Sequence, residues 1–252
     1  MPSFFKQLAL SLCCLSIIST AFAGGDSTEP SENTTNFIKP YRVIYHANFD
    51  FFLAVEGTAI RQLERQKNGQ WLLSHTVDSA LLTLKETSLF DWQQQQAKPQ
   101  IYKLDQNSIG KKKSELLKFD WLNLQVHHYT DKPAGTVDIP ANTLDKLTYQ
   151  LKIREDLANG EKLGIYTVAE KRKLKEYGFI LLGSEQLDTP VGKLNTVKIK
   201  RDRGADSKRQ TMLWLAKDWD YLLVKIGQQE KGKNYEVVMT EGELDGQSII
   251  GQ

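Results

Sequence analysis

"TMLWLAKDWDYLLVKI", residues 211–226, decides how the chain is read. In an extended backbone successive side chains point to opposite faces, so Met212 and Trp214 share one face and Leu213 and Leu215 the other. Both faces of the outgoing run are therefore apolar, which predicts a central strand covered on both sides, with Trp214 in the core. "AKDWD" reads as a turn in which Asp218 bonds its own backbone. Leu222, Val224 and Ile226 then line one side of the return strand. On this reading Trp219, at the hairpin tip, is the ring expected to be exposed.

Working outward, the same alternation recurs. Tyr41, Val43 and Tyr45 alternate with Arg42, Ile44 and His46, and residues 49–63 continue in the same style. Asn68-Gly69, between "RQLERQK" and "QWLLSHTV", is the strongest hairpin signal in the chain. Further strands are expected at "SALLTLKETSLFDW", "QIYKLDQ", "SELLKFDW", "LQVHHYT", "LGIYTVAEKRKLKEYGFILLGSEQL", "KLNTVKIKRDR", "RQTMLWLAK", "YLLVKIGQQE" and "NYEVVMTEGEL". Turn residues separate them at 107–110, 120–123, 189–192, 204–207 and 231–234. One segment differs: in 142–160 Leu144, Leu147, Leu151 and Leu157 recur at helical spacing, with Asn142 as candidate cap and Gly160 as stop. It predicts an amphipathic helix whose stripe covers a face of the sheet. The fold class expected is mainly β: an antiparallel curved sheet or half-barrel of about ten or more strands with one covering amphipathic helix.

Lys6, an apolar run over 8–18 and Ala21-Phe22-Ala23 form a secretory signal with cleavage expected after Ala23; the run is too short to span a bilayer. Both cysteines, Cys13 and Cys14, fall inside it. The mature chain then has no thiol and no disulfide, and neither cysteine follows the small residue that lipid attachment requires. Losing 1–23 takes Lys6 and no acid from a formal charge of +2, and so near-neutral a chain argues against a nucleic-acid partner. The expected organisation is a signal over 1–23, a flexible polar leader over 24–40, a single β-rich domain over 41–246 and a C-terminal tail over 247–252. The compartment expected is the periplasm of a Gram-negative bacterium, with no membrane span left after cleavage.

A search for chemistry yields no catalytic residue. His127 and His128 are adjacent on a strand and face opposite ways, so they do not make a metal pair; His46 and His75 stand alone. Gly183-Ser184-Glu185 has no strand-turn-helix elbow, and Gly192-Lys193 lacks the rest of a phosphate loop. The pairs Asp218/Asp220, Glu241/Glu243 and Glu155/Asp156 read as turns and solvated edges. Basic clusters at 111–113, 171–175, 198–203 and 208–209 leave one functional option, attraction to an anionic envelope component. Along 193–203, Lys198 and Lys200 share one face and Val197 and Ile199 the other.

Three phrases carry a resemblance: "DKLTYQLKIREDLANGE", "KLKEYGFILLGSEQLDTPVGKLNTVKIKRDR" and "RQTMLWLAKDWDYLLVKIGQQEKG". They resemble domain-of-unknown-function family 3108, over roughly residues 40–245 and most densely from Asp145. Arg154, Glu185 ahead of the Thr189–Gly192 turn, and the Trp214-to-Asp218 hairpin carry the likeness; Leu223 stands where the family often has proline. The resemblance implies an exported protein with a sheet curled around a helix, similar to the half-barrel of the periplasmic lipoprotein carriers. It supplies no catalytic residues.

The expectation for function is a non-catalytic protein that binds or carries a hydrophobic or amphipathic envelope ligand, with Trp219, Arg154, Lys200 and Arg201 as candidate ligand-binding residues. No cofactor and no metal are expected, and the partner expected is an envelope lipid, lipoprotein or polysaccharide. One alternative is polysaccharide binding on stacked rings of Trp71, Trp92, Trp121, Trp214 or Trp219, which needs at least two of them coplanar at the surface. The other is a hydrolase or lyase acting on envelope polymers, which needs a cleft where two acids, or an acid and a histidine, converge.

Overall fold

The computed structural model describes residues 37–50, 54–108, 110–130, 135–230 and 233–252, so the expected signal over 1–23, its expected cleavage site and the expected leader as far as residue 36 lie outside the described residues. Eight strands come first: β1 (Tyr41–Asp50), β2 (Ala54–Arg65), β3 (Trp71–Ser79), β4 (Leu82–Gln93), β5 (Gln96–Ser108), β6 (Lys111–Asp120), β7 (Gln125–Tyr129) and β8 (Gly135–Asp138). The helix α1 (Tyr149–Ala158) follows. Then come β9 (Ile165–Glu170), β10 (Lys173–Thr189), β11 (Gly192–Asp202), β12 (Arg209–Ala216), β13 (Leu222–Glu230) and β14 (Lys233–Leu244), with a short β15 (Gln247–Ser248).

Each group of strands is an antiparallel meander, and the two are joined where β1 pairs β14. The resulting path runs β8-β7-β6-β5-β4-β3-β2-β1-β14-β13-β12-β11-β10-β9, with β15 added on β14. Its two ends, β8 and β9, are not paired to each other, so the sheet is open. The expected mainly β fold of ten or more antiparallel strands with one helix is what forms.

The alternation of the sequence sets the faces. On β1 Tyr41, Val43 and Tyr45 are buried while Arg42 and His46 are exposed. Opposite Val43 and Tyr45 on β2 stand Arg61 and Ala59, and on β14 Tyr45 meets Met239. This inner face and the 143–157 segment make one hydrophobic core. Burying some forty apolar side chains there is the main term holding the fold, each contributing about 1.5–3 kcal/mol before the cost of ordering the chain.

The helix departs from expectation in length and surroundings. It begins at Tyr149, with Thr148 in the N-cap position, rather than after Asn142, which is exposed and caps nothing. The side chain that closes its entry is Asp145, whose Oδ1 accepts the amides of Leu147 and Thr148 at 2.8 Å each, while Thr148 Oγ1 accepts the amide of Asp145. Leu144, Leu147, Leu151 and Leu157 are all buried as predicted, but so are Arg154, Glu155 and Asp156. The helix is wrapped on nearly every side, not laid over the sheet by one stripe.

The 211–226 hairpin forms with β12 central between β11 and β13. Leu213 and Leu215 face the helix, and Trp214 is buried on the opposite, outer face. It is covered there without a second layer: Lys198 and Lys225 lie over its ring at 4.7 and 5.1 Å, and its Nε1 donates to Glu185 Oε1. The turn is a 3-10 turn over Lys217–Trp219, then Asp220 and Tyr221 at φ +49° and +53°. Asp218 accepts from Asn195 Nδ2 at 2.8 Å. Trp219 is a correction: it is half-buried and packs against the core instead of standing exposed.

Residues flanking the strands at both ends pack onto the sheet. Ile38 is buried, and the Pro40 carbonyl accepts the Asp245 amide. Ile249 is buried too, while Gly251 and Gln252 bond Val191 and Lys193 across the tip of the β10–β11 hairpin.

Candidate functional site

Register places the inner face in layers. Leu63, Leu73, Ser88 and Tyr102 stand side by side across β2 to β5, and all four are fully buried under the 143–151 segment. One pleat further toward the β1–β2, β3–β4 and β5–β6 tips, the row reads Arg61, His75, Glu86, Leu104. The next row is Ala59, Val77, Leu84, Gln106. Across the seam, Val237, Ile226 and Leu213 continue the inner face through β14, β13 and β12. Val77, Leu84, Ile226 and Val237 are only half-buried, so water reaches apolar wall here.

The middle row is a polar floor between the filled core and this open end. On one side the helix segment closes it: Lys146 Nζ meets Glu86 Oε1 at 2.9 Å, Tyr102 donates to the same carboxylate at 2.6 Å, and Arg61 donates to Gln150. Burial pushes the Glu86 carboxyl up, but Lys146 and the Tyr102 hydroxyl outweigh it and leave it below its usual range. Burial, then the Arg61 guanidinium opposite, drives His75 down from 6.5 to about 4, so at neutral pH the ring is uncharged. On the other side Arg201, paired across from Phe179, stacks its guanidinium 3.6 Å from the Tyr177 ring centre. Tyr149, at the start of α1, sits between: its ring is 5.1 Å from Tyr177 and 5.9 Å from Phe179, and its hydroxyl feels both Arg201 and Arg61 against the upward push of burial.

Three buried nitrogens of this floor have no hydrogen-bond partner: Arg61 Nε, His75 Nδ1 and Arg201 Nε. Such groups are rare inside proteins because an unmet donor costs about 1–3 kcal/mol. Beneath the floor the packing is tight; the gap between α1 and the Tyr41, Tyr45, Leu213 and Leu223 side chains is about 20 Å³, room for roughly one water.

The four residues singled out from sequence divide among three places. Arg154 is buried, its Nε donating to the Asp220 carbonyl at 3.0 Å and its guanidinium 5.0 Å from the Tyr41 ring. That sets it beside the turn carrying Trp219, at the closed end. Lys200 lies on the outer face, paired with Met212, whereas Arg201 turns inward to the floor. Arg61, His75, Tyr149 and Tyr177 were missed. Phase was the available signal: Arg61 stands in step with Ala59 and Leu63, and His75 with Leu73 and Val77, so each is polar on an apolar face.

Acids and histidines do converge: Asp120 and His127 lie 4.0 Å apart at the partly exposed surface of β6 and β7, and Glu115 and His128 are 3.9 Å apart on the same two strands. Glu115 and His128 are within the core, at 1% and 5% exposure, so that pair offers no cleft to a polymer. Among the described residues no group of three or more His, Asp or Glu side chains is placed to hold a metal ion. Of the five tryptophans, Trp71 and Trp214 are buried and Trp92, Trp121 and Trp219 half-buried; none is an open stacking platform.

The family model described as "Protein of unknown function (DUF3108)" matches residues 40–239. The chain belongs to the DUF3108 family. The match takes in the floor residues Arg61, His75 and Arg201 as well as the helix. No curated protein matches in sequence. Among solved structures, a beta-barrel-like protein of domain of unknown function DUF1849 from Brucella abortus has a TM-score of 0.58 at 10% identity, covering 82% of this chain and 98% of that one. A candidate lipoprotein from Parabacteroides distasonis has a TM-score of 0.32 at 10% identity, covering 82% and 96%. A candidate exported protein with a YmcC-like fold from Bacteroides fragilis has a TM-score of 0.32 at 9% identity, again covering 82% and 96%. The likeness of this DUF3108 chain to the Brucella protein is one of fold. No helix among the described residues is long and apolar enough to cross a membrane.

Proposed function

We propose that this DUF3108 protein is a non-catalytic periplasmic binding protein that takes a hydrophobic or amphipathic envelope ligand, a lipid or the acyl chain of a lipoprotein, into the open end of its half-barrel. The observation that carries the reading is the contrast along the inner face. Below the polar floor the apolar positions Leu63, Leu73 and Tyr102 are fully buried, while Val77, Leu84, Ile226 and Val237 remain half-exposed on the same inner face. A monomer gains about 25 cal/mol for each Å² of such surface it covers, so an uncovered apolar wall inside a curved sheet favours a ligand over water.

Native mass spectrometry of the protein isolated from a periplasmic extract, followed by solvent extraction, tests this. The expected result is a bound species of lipid mass. A ligand-free protein that also fails to take up an apolar fluorescent probe would overturn the reading.

A further inference from the structure

We infer that the open end of the half-barrel binds an anionic amphiphile head-first, its carboxylate or phosphate seated on Arg61, His75 and Arg201 and its chain lying against Val77, Leu84, Ile226 and Val237. The inference rests on the binding function proposed above and adds the charge and the direction of the ligand.

Charge is the first argument. Among the described residues Arg61 and Arg201 have no carboxylate within ion-pair distance. The acids of the neighbourhood are already taken: Glu86 by Lys146 at 2.9 Å and Glu170 by Lys175 at 2.6 Å. Arg203 adds a further positive charge nearby, its Nη1 held by Thr211 Oγ1 at 3.0 Å. A surplus of guanidinium inside a curved, partly apolar surface is costly to leave without a counter-charge.

Unmet hydrogen bonding is the second. Arg61 is buried to 7% exposure, yet its Nε lacks an acceptor, and the same holds for Arg201 Nε and for Nδ1 of the directly opposed His75. A carboxylate or phosphate is acceptor-only and carries several lone pairs, which suits guanidinium donors from two sides. His75 can meet it as the neutral tautomer with hydrogen on Nδ1. Tyr149 lies next to Tyr177, on which the Arg201 guanidinium stacks, and is followed in α1 by Gln150, which accepts from Arg61.

Direction is the third. Arg61 and His75 are flanked below by the filled core and one pleat above by the half-buried Val77 and Leu84, so a chain whose head is seated on them runs toward the strand tips. Head-down entry meets the donors and covers the wall at once; tail-down entry would meet neither.

The test is isothermal titration of the full mature chain with dodecanoate, dodecyl phosphate and dodecanol, on wild type, Arg61→Gln, Arg201→Gln and, as a control on the outer face, Lys198→Gln. At least one of the two anionic chains is expected to bind tenfold or more tightly than dodecanol. Arg201→Gln and Arg61→Gln should each cut that preference at least fivefold, and Lys198→Gln should keep it. Which anion binds more tightly distinguishes a fatty acyl carboxylate from a phosphate headgroup. Should Arg61→Gln fail to fold, Arg201→Gln, whose side chain is only half-buried, decides alone. Equal binding of dodecanol and both anions, or a preference untouched by Arg201→Gln, overturns the anionic seat while leaving the binding function standing. No binding of any dodecyl chain overturns both.

Discussion

Arg61 on β2 and His75 on β3 are directly opposed Cα partners that both turn into the half-barrel, a permanently charged group facing a titratable one. Their proximity is the second cause, after burial, of the low His75 pKa.

That pairing makes the fold sensitive to acid. In the unfolded chain the His75 ring takes a proton near 6.5; in the fold, where burial and then Arg61 outweigh the opposing pull of Glu86 and the Ile60 backbone, it does so near 4. The unfolded state therefore binds more protons between these values, and the stability His75 contributes is fully present above about pH 6.5 and is lost as pH falls toward 4. Urea midpoints measured from pH 7.5 to 4.5 should decline, and His75→Gln should flatten that decline. A parallel decline in the variant would assign the acid sensitivity to other groups.

Arg154→Met should cost about 2–4 kcal/mol in equilibrium unfolding, because it strands the Asp220 carbonyl and removes the guanidinium packed near the Tyr41 and Phe37 rings. Arg154→Lys should recover little of it, since an ammonium cannot both lie flat over a ring and donate sideways.

Gly192 and Gly251 lie backbone to backbone. A Cβ on Gly192 would meet the Gly251 carbonyl carbon at 2.9 Å, and the Gly192 φ of +107° disfavours any side chain. Gly192→Ala should lower the unfolding midpoint by an amount equivalent to about 2–4 kcal/mol. Deleting 249–252 should also destabilise, and the two changes together should cost less than their sum, since the deletion removes the obstacle.

Trp214→Ala should cost about 2–4 kcal/mol while leaving dodecyl-chain binding unchanged, because the ring lies between Lys198 and Lys225 on the outer face, over Gly227. Loss of both stability and binding would mean that the outer face feeds back on the interior.

Much of the fold was legible because period-two patterning depends on one local rule, and a strand such as β1 obeys it residue by residue over 41–46. The failures were of two physical kinds. Turns built without glycine left no mark: Gln94-Gln95 carries the β4–β5 reversal at φ +50° and +57°, and Lys171 at φ +57° splits what reads as one continuous run into β9 and β10. Burial by neighbours was the other. Trp214 looks like core from its own strand, yet lysine stems on β11 and β13 cover it; Trp219 looks like a tip, yet the 3-10 turn folds it back onto the core. The floor was hidden for the same reason, since no single stretch shows that Arg61 on β2 and Arg201 on β11 both turn to the inner face.

The seam between β1 and β14 fixes when this molecule can become complete. Tyr41 pairs with Leu244, so the first strand waits for a partner made roughly 200 residues later. A chain threaded through a membrane from its front end would hold β1 beside β2 with its other edge bare until almost all of it had crossed. For that interval the edge is a template for any passing strand, and an escort that covers it would decide between folding and aggregation.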